Sequence, residues 1–304
     1  MVLRFKICLL ILCGICFAAQ AQTKYRLFII GNSFSQNAAS FLPQLTKEGG
    51  IELEMGRAEL GGCSLERHWK LVETAEKDTS DPAGKAYGGK SLRQLLSNGT
   101  WDMVTIQQYS LLSGDPDTYR PYARKLYDFI KSIQPNAKIF IHQIWAYRSD
   151  AKAFGKIAGN ERAPNAEEMH SHVKAAYHTI ARELDLTVIP VGDAFRAMEI
   201  SEYWSYKKDT TFNFKTAVPP ALPLQTNSLH VGYRWNNGKL DFDANHANKA
   251  GCYLGSLVWY QTLFGGDVKK VQFKPEEVSD EMAAQFKKIV ADLPVQAQNT
   301  EAGH

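Results

Sequence analysis

The stretch LFIIGNSFSQN, residues 27–37, decides the fold of this chain. It opens with four apolar residues, a run typical of a strand that is buried on both faces of a sheet. Gly31 then permits a tight turn. Small polar residues of the kind that often cap a helix follow at once: Asn32, Ser33 and Ser35. The stretch therefore predicts a buried strand that turns directly into a helix.

Strand-like and helix-like segments alternate along the rest of the chain. Short runs that are apolar, or that alternate between apolar and polar residues, predict strands at 25–30, 51–58, 101–107, 137–144 and 186–192. Apolar residues at helical spacing predict helices at 36–48, 64–77, 118–133, 165–184 and 247–264. Loops are predicted at 77–89, 148–164 and 207–228. This alternation favours an α/β fold, with a central parallel sheet in a three-layer α/β/α, flavodoxin-like arrangement.

The N-terminal residues have the pattern of a cleaved secretory signal. A short basic start precedes the apolar run ICLLILCGICFAA, which is too short to span a membrane comfortably, and a small-x-small site follows at Ala19-Gln20-Ala21. We therefore predict a signal peptide over residues 1–21 and a single domain over 22–304. The expected location is periplasmic or extracellular, with no membrane attachment after cleavage. An N-terminal membrane anchor is the alternative.

The charge of the chain excludes some classes of partner. The formal net charge is +3, and removal of Arg4 and Lys6 with the signal brings it closer to zero. A charge this small gives no reason to expect nucleic acid or an acidic membrane surface as a partner.

The turn after the first strand is also the first place to look for chemistry. Functional groups gather at the carboxyl ends of the strands in an open parallel sheet, which is where Ser33 falls. A serine nucleophile needs a base and a carboxylate that orients the base. Asp243 and His246 offer such a pair, three residues apart, just before an apolar helical stretch. Taken alone, each signal is weak, because serine at a strand end more often caps a helix.

The two signals together are more specific. A Gly-x-Ser at the end of the first strand and a D-x-x-H before the last helix resemble the SGNH hydrolases, also called GDSL-like esterases, and in particular their divergent exported branches. The resemblance implies that Ser33 is the nucleophile, His246 the general base and Asp243 the residue that orients the base. It implies no cofactor and no metal. An α/β-hydrolase is disfavoured, because Ser35 stands where its Gly-x-Ser-x-Gly motif needs the last glycine.

The resemblance also implies an oxyanion hole. Its expected donors are the backbone of Ser33, a glycine from LGGCSLERHW (60–69) and a side-chain amide from VTIQQYS (104–110). Each such donor can contribute about 3 kcal/mol to transition-state stabilisation. The candidates are Gly61 or Gly62, with Gly62 preferred, and Gln107 or Gln108, with Gln107 preferred. Asn32 and the glutamines replace the aspartate and asparagine usual in the family, so the choice of amide donor stays open.

The same resemblance suggests the substrate. Several exported members remove esters from carbohydrates, so the expected substrate is a small-molecule or glycan acyl ester, such as an acetylated sugar. Side chains that follow strands are candidates for contact with it: His68, Trp69, Tyr109 and Trp145. Aromatic residues are more often packing residues, although a ring at a strand end can stack on a sugar. The alternative is a non-catalytic carbohydrate-binding protein on the same fold.

Two cysteines remain after signal removal, Cys63 and Cys252. The resemblance implies that both border the active-site crevice, and export would allow a disulfide between them. Two separate buried thiols are the alternative, because cysteine packs as a small hydrophobe.

Overall fold

The structure, a computed structural model, describes residues 23–294. The signal predicted over residues 1–21 lies outside this range. The strands are β1 (Thr23–Gly31), β2 (Ile51–Glu59), β3 (Met103–Ile106), β4 (Lys138–His142), β5 (Lys156–Ala158), β6 (Glu161–Arg162), β7 (Thr187–Ile189), β8 (His230–Asn236) and β9 (Lys239–Ala247). The helices are α1 (Ser33–Ala38), α2 (Leu42–Glu48), α3 (Leu65–Lys77), α4 (Leu92–Leu96), α5 (Tyr122–Ile133), α6 (Ala166–Leu184), α7 (Val191–Glu199), α8 (Lys249–Phe264) and α9 (Asp280–Asp292).

Five strands form the central parallel sheet, in the order β2-β1-β3-β4-β7. The predicted α/β fold with a central parallel sheet is therefore confirmed. The chain passes from β1 to β2 on one side and then to β3 on the other side of β1. Such a change of direction opens a crevice at the carboxyl ends of the two strands, where ligands of α/β proteins bind.

Helices cover the sheet. The last predicted helix is α8, which contacts α1, α2, α7 and α9 and is buried along nearly its whole length, as its lack of a polar face requires. A second set of contacts joins α3 to α4 and α5, and α5 to α6. Within residues 23–294 no helix is both long and apolar enough to cross a membrane.

Several boundaries differ from the sequence prediction. The helix expected at 36–48 is two helices. The first ends at Ala38 and the second begins at Leu42, with Pro43 in its first turn, where proline is well suited. The strand expected at 186–192 ends at Ile189, and α7 begins at Val191. The predicted loop at 148–164 contains the short antiparallel pair β5–β6.

The antiparallel hairpin β8–β9 was not predicted. Its two strands are joined by Asn237 and Gly238, both at positive φ. Asn-Gly is the preferred pair for such a two-residue turn, so a local signal for this hairpin was present in the sequence. The hairpin matters for function because Asp243 and His246 lie on β9.

Candidate active site

Ser33 is the first residue of α1, directly beyond the carboxyl end of β1. Asn32 caps this helix, since its Oδ1 accepts from the Phe34 N–H at 3.0 Å. Gly31 has no room for a side chain, because a Cβ there would lie 2.5 Å from Ser35 Oγ and 3.0 Å from Gln107 Oε1. The crowded turn places the Ser33 hydroxyl at the N-terminus of α1, where the helix dipole favours negative charge.

Asp243 and His246 meet Ser33 from β9. His246 Nε2 lies 2.8 Å from Ser33 Oγ, and His246 Nδ1 lies 2.9 Å from Asp243 Oδ2. The other carboxylate oxygen of Asp243 accepts from the backbone N–H groups of Asn245 and His246. The structure thus brings together the three residues that the sequence singled out, in one chain of hydrogen bonds.

The charge state of Asp243 suits an orienting group. Burial by itself raises the pKa of this carboxyl, but the hydrogen bonds from the His246 ring and backbone outweigh it, and the pKa falls to about 2. Asp243 is therefore an anion at neutral pH and accepts from the Nδ1–H of His246. That tautomer leaves Nε2 of His246 able to accept the Ser33 proton.

The backbone N–H groups of Ser33 and Gly62 are the candidate oxyanion donors. The Ser33 N–H lies in the first turn of α1, where a helix supplies no internal acceptor. Gly62 is exposed and has a φ of +59°, which glycine adopts readily. Asn32 connects the two backbone segments that carry these groups, because its Nδ2 donates to the carbonyl of Cys63 at 3.0 Å. The cap at Asn32 is among the roles expected from the sequence, whereas the hydrogen bond to the Cys63 carbonyl is not.

The side-chain amides of Gln107 and Gln108 do not point at Ser33, contrary to expectation. Gln107 Nε2 donates to Asn32 Oδ1 at 2.8 Å and to the Gln108 carbonyl at 3.2 Å. Gln107 therefore helps to hold the Asn32 side chain in place, and it contacts the turn that carries Ser33 through Asn32. The hydrogen bond joins residues that are 75 positions apart, so no local sequence pattern reveals it.

Gln108 lies in a different environment. Its Oε1 accepts from the backbone N–H groups of Leu65 and Tyr109, and its Nε2 donates to the Thr118 carbonyl. The Leu65 N–H belongs to the first turn of α3, which needs an acceptor from outside the helix. Gln108 is thus a structural residue, and its assignment as an oxyanion donor is corrected.

Three of the four candidate substrate contacts are corrected as well. His68 is fully buried between Tyr87 Oη at 2.7 Å and the Gly31 carbonyl at 3.1 Å, and burial lowers its pKa to about 4. Trp69 packs edge-on against Phe129 of α5. Each of these side chains faces a neighbouring element of the fold, which local sequence does not encode.

Trp145 is the third. Its indole is fully buried, stacks on Phe195 at 4.6 Å, and donates from Nε1 to the Asn245 carbonyl at 2.8 Å. It therefore supports the segment between Asp243 and His246. Tyr109, by contrast, lies beside the candidate donor Gly62: a Cβ at Gly62 would be 3.6 Å from its ring.

Cys63 and Cys252 are both free and buried. Burial raises the pKa of the Cys63 thiol to about 11 and also raises the pKa of Cys252. The sequence left open a disulfide or two separate buried thiols, and the structure contains the separate thiols.

Comparison with known proteins gives the family. The model for "Domain of unknown function (DUF4886)" matches residues 26–211. The chain belongs to this family. The matched range includes Ser33 but ends before β8 and β9. A DUF4886 family protein from Bacteroides uniformis ATCC 8492 is 21% identical, over 88% of this chain and 93% of that one, with a TM-score of 0.66. That similarity shows a shared fold.

Other solved structures are similar at lower identity and lower TM-score. A protein from Parabacteroides merdae ATCC 43184 assigned as a GDSL-like lipase is 13% identical, over 79% of this chain and 95% of that one, with a TM-score of 0.44. An acetyl xylan esterase, AlAXEase, is 12% identical over 58% and 81%, with a TM-score of 0.39. A search of curated proteins returns no match.

Proposed function

We propose that this DUF4886 protein is an exported serine hydrolase of carboxylic esters. The observation that carries the proposal is the hydrogen-bonded chain from Asp243 through His246 to Ser33, at the carboxyl end of β1. A nucleophile bonded to a base, and that base bonded to an orienting group, is the arrangement that serine acyl transfer needs.

The chemistry follows from these contacts. Ser33 Oγ attacks the ester carbonyl carbon while His246 Nε2 takes the hydroxyl proton. The negative charge that develops on the carbonyl oxygen is stabilised by the N–H groups of Ser33 and Gly62. The bond to the alcohol breaks as His246 returns the proton to the departing oxygen. A water molecule then gives a proton to His246 and attacks the acyl carbonyl carbon. The bond to Ser33 Oγ breaks as His246 returns that proton to Oγ, which releases the acid and restores Ser33.

The substrate we propose is a small or glycan-borne acyl ester, with acetylated carbohydrate as the first candidate. The half-exposed Tyr109 beside Gly62 supports this choice, because an aromatic ring next to the reacting carbonyl can stack on a sugar face. The signal pattern at residues 1–21 supports export. No metal or cofactor enters the proposed reaction.

A serine-directed probe tests the proposal. Protein spanning residues 22–304 should react covalently with a fluorophosphonate and should hydrolyse p-nitrophenyl acetate. Ser33→Ala should abolish both, whereas Ser97→Ala, which changes an exposed serine at the end of α4, should change neither. A folded wild-type chain that reacts with neither reagent would contradict the proposal, and binding of acetylated glycans by such a chain would indicate a carbohydrate-binding protein instead.

The substrate class needs a separate measurement. Acid release from acetylated xylan and from O-acetylated xylooligosaccharides should exceed acid release from aryl esters of longer acids at equal ester concentration. Tyr109→Ala should reduce the glycan rates more than the p-nitrophenyl acetate rate. Equal losses on both would remove the sugar-stacking argument.

A further inference from the structure

The segment that follows β4 is attached closely to the hairpin that carries Asp243 and His246. Trp145 donates to the Asn245 carbonyl, and the Arg148 N–H donates to the Ala244 carbonyl at 2.8 Å. These two carbonyls lie between Asp243 and His246 in the sequence. On the other strand of the hairpin, His230 Nε2 lies 3.0 Å from the Ala146 carbonyl. Residues 145–148 therefore hold residues 243–246 in place through hydrogen bonds.

Arg148, the last residue of this segment, is a buried charged residue. Its side chain and that of Asp150 are only 2% and 3% exposed, and they form a two-point ion pair at 2.7 and 3.0 Å. The guanidinium lies over the rings of Tyr206, Phe242 and Tyr233, at 4.2, 4.9 and 5.4 Å. Phe242 directly precedes Asp243, so the cation packs against the residue next to the orienting acid.

A glycine in the hairpin makes this approach possible. Gly232 is the register partner of Asp243, and it has a φ of +66°. A Cβ at this position would lie 2.2 Å from Arg148 Nη1 and 2.0 Å from Gln225 Oε1. Arg148 Nη1 also donates to Gln225 Oε1 at 2.7 Å. The guanidinium thus joins the hairpin, at the position opposite Asp243, to the long loop between α7 and β8.

Stability alone does not account for such a pair. Removing two charges from water usually costs as much as their attraction returns, and apolar residues of similar size are often as stabilising. A planar, multiply bonded arginine does fix geometry, because each of its donors demands a partner in one direction. The role of the Arg148–Asp150 pair that fits its location is to fix the position of the hairpin.

We propose that Arg148, held by Asp150, is a positioning residue for the Asp243–His246 pair. The inference rests on the proposed function, since it concerns how that site is held. Arg148 acts through the hairpin and through Phe242 and Gly232. Its loss should let β9 move relative to α1, so that the hydrogen bond between His246 and Ser33 forms less often. Turnover should fall while substrate binding near Gly62 and Tyr109 changes little.

The test compares a buried ion pair with an exposed one on the same hairpin. Arg148→Lys keeps the charge but loses the two-point geometry, and Asp150→Asn keeps the shape but loses the charge. Both should lower kcat on p-nitrophenyl acetate at least tenfold, with KM within twofold, and the double variant should lose little more, because the two residues act as a unit. The controls Arg234→Lys and Asp241→Asn alter a pair whose side chains are 52% and 44% exposed, and should leave kcat unchanged.

Hydrogen exchange provides a readout that needs no activity. In folded Arg148→Lys, peptides covering 240–248 should exchange faster than in the wild type, while peptides of β1 and β3 should not. Wild-type kcat in folded Arg148→Lys and Asp150→Asn, or unfolding of both variants, would overturn the inference. An inactive wild type would instead count against the proposed function, and the exchange comparison would still decide whether Arg148 holds the hairpin.

Discussion

Asn32, the N-cap of α1, and Cys63, the residue after the glycine pair, are joined by a 3.0 Å hydrogen bond from Asn32 Nδ2 to the Cys63 carbonyl. This bond links the two backbone segments that carry the Ser33 and Gly62 N–H groups. The other end of the Asn32 amide accepts from the Phe34 N–H and from Gln107. One buried side chain thereby fixes both proposed oxyanion donors relative to each other.

Asn32→Asp should separate the two uses of this side chain. The carboxylate can still cap α1, but it cannot donate to the Cys63 carbonyl. Its negative charge would also be repelled by the partial negative charge of that carbonyl oxygen. We expect kcat to fall about tenfold or more, since removing an oxyanion donor outright costs roughly 100-fold. Asn165→Asp alters another asparagine N-cap, on α6 and exposed, and should leave kcat unchanged. Unchanged kinetics in folded Asn32→Asp would show that the link is not needed.

Gln107 and Gln108 should respond oppositely to substitution by leucine. Gln107→Leu removes a donor to Asn32 and should lower kcat with a modest effect on stability. Gln108→Leu leaves the N–H groups of Leu65 and Tyr109 without their acceptor, which costs about 1–3 kcal/mol for each buried group. Urea unfolding and steady-state kinetics on the same samples check both expectations. A larger kcat loss in stable Gln108→Leu would reverse the assignment.

The fold should lose stability in mildly acidic solution because it buries neutral histidines. Burial lowers the pKa of His68 and His230 to about 4 and that of His142 to about 3, from an ordinary value of 6.5. The unfolded chain takes up these protons first as the pH falls. The free energy of unfolding is therefore highest above about pH 6.5 and decreases as the pH drops towards 4. The slope approaches about 1.4 kcal/mol per pH unit for each histidine.

His142 offers a direct check of this acid sensitivity. Neither of its ring nitrogens has a hydrogen-bond partner among residues 23–294, and its ring packs edge-on against Trp259. His142→Leu should therefore be tolerated and should flatten the decline in stability between pH 6.5 and 4. Urea unfolding at pH 7, 6 and 5 measures the slope. A slope equal to that of the wild type would show that His142 is protonated in the folded protein.

The elements that were predicted correctly are those encoded by a local pattern of residues. The apolar run of β1, its glycine turn and the apolar α8 all formed as expected, because burial of such runs is strongly favoured. The turn that closes β8–β9 has its own local signal at Asn237 and Gly238. Asp243 and His246 do precede the last helix as expected, but they lie on a strand, β9, that was not predicted.

The supporting residues could not be predicted in the same way. Trp145 and His68 follow strands or start helices, just as substrate contacts do, and only the tertiary packing around Phe195 and Tyr87 determines that they are buried. The direction of the Gln107 amide likewise depends on Asn32, which is 75 residues away in the chain. Such long-range contacts leave no periodic trace in a single sequence.

Trp145→Phe should slow turnover without changing substrate binding. The phenyl ring can keep the stack on Phe195, but the hydrogen bond to the Asn245 carbonyl is lost. A neutral hydrogen bond contributes about 1 kcal/mol, so a loss of about fivefold in kcat is expected if all of it positions the site. Trp101→Phe removes an equivalent bond, from Nε1 to the Leu96 carbonyl, and should lower stability similarly while leaving kcat intact. Equal kcat losses in both variants would indicate a general packing effect.

Cys63 and Cys252 should behave as protected thiols rather than as a disulfide. Both are buried, and burial raises the pKa of each thiol, so little reactive thiolate exists at neutral pH. Native protein should react slowly with iodoacetamide, whereas protein unfolded in urea without reductant should gain two labels by intact mass. Cys63→Ala should cost about 1 kcal/mol or slightly more for the small cavity and leave kcat nearly unchanged, because only the carbonyl of residue 63 bonds to Asn32. Unfolded protein that takes up label only after reduction would establish a disulfide and contradict this prediction.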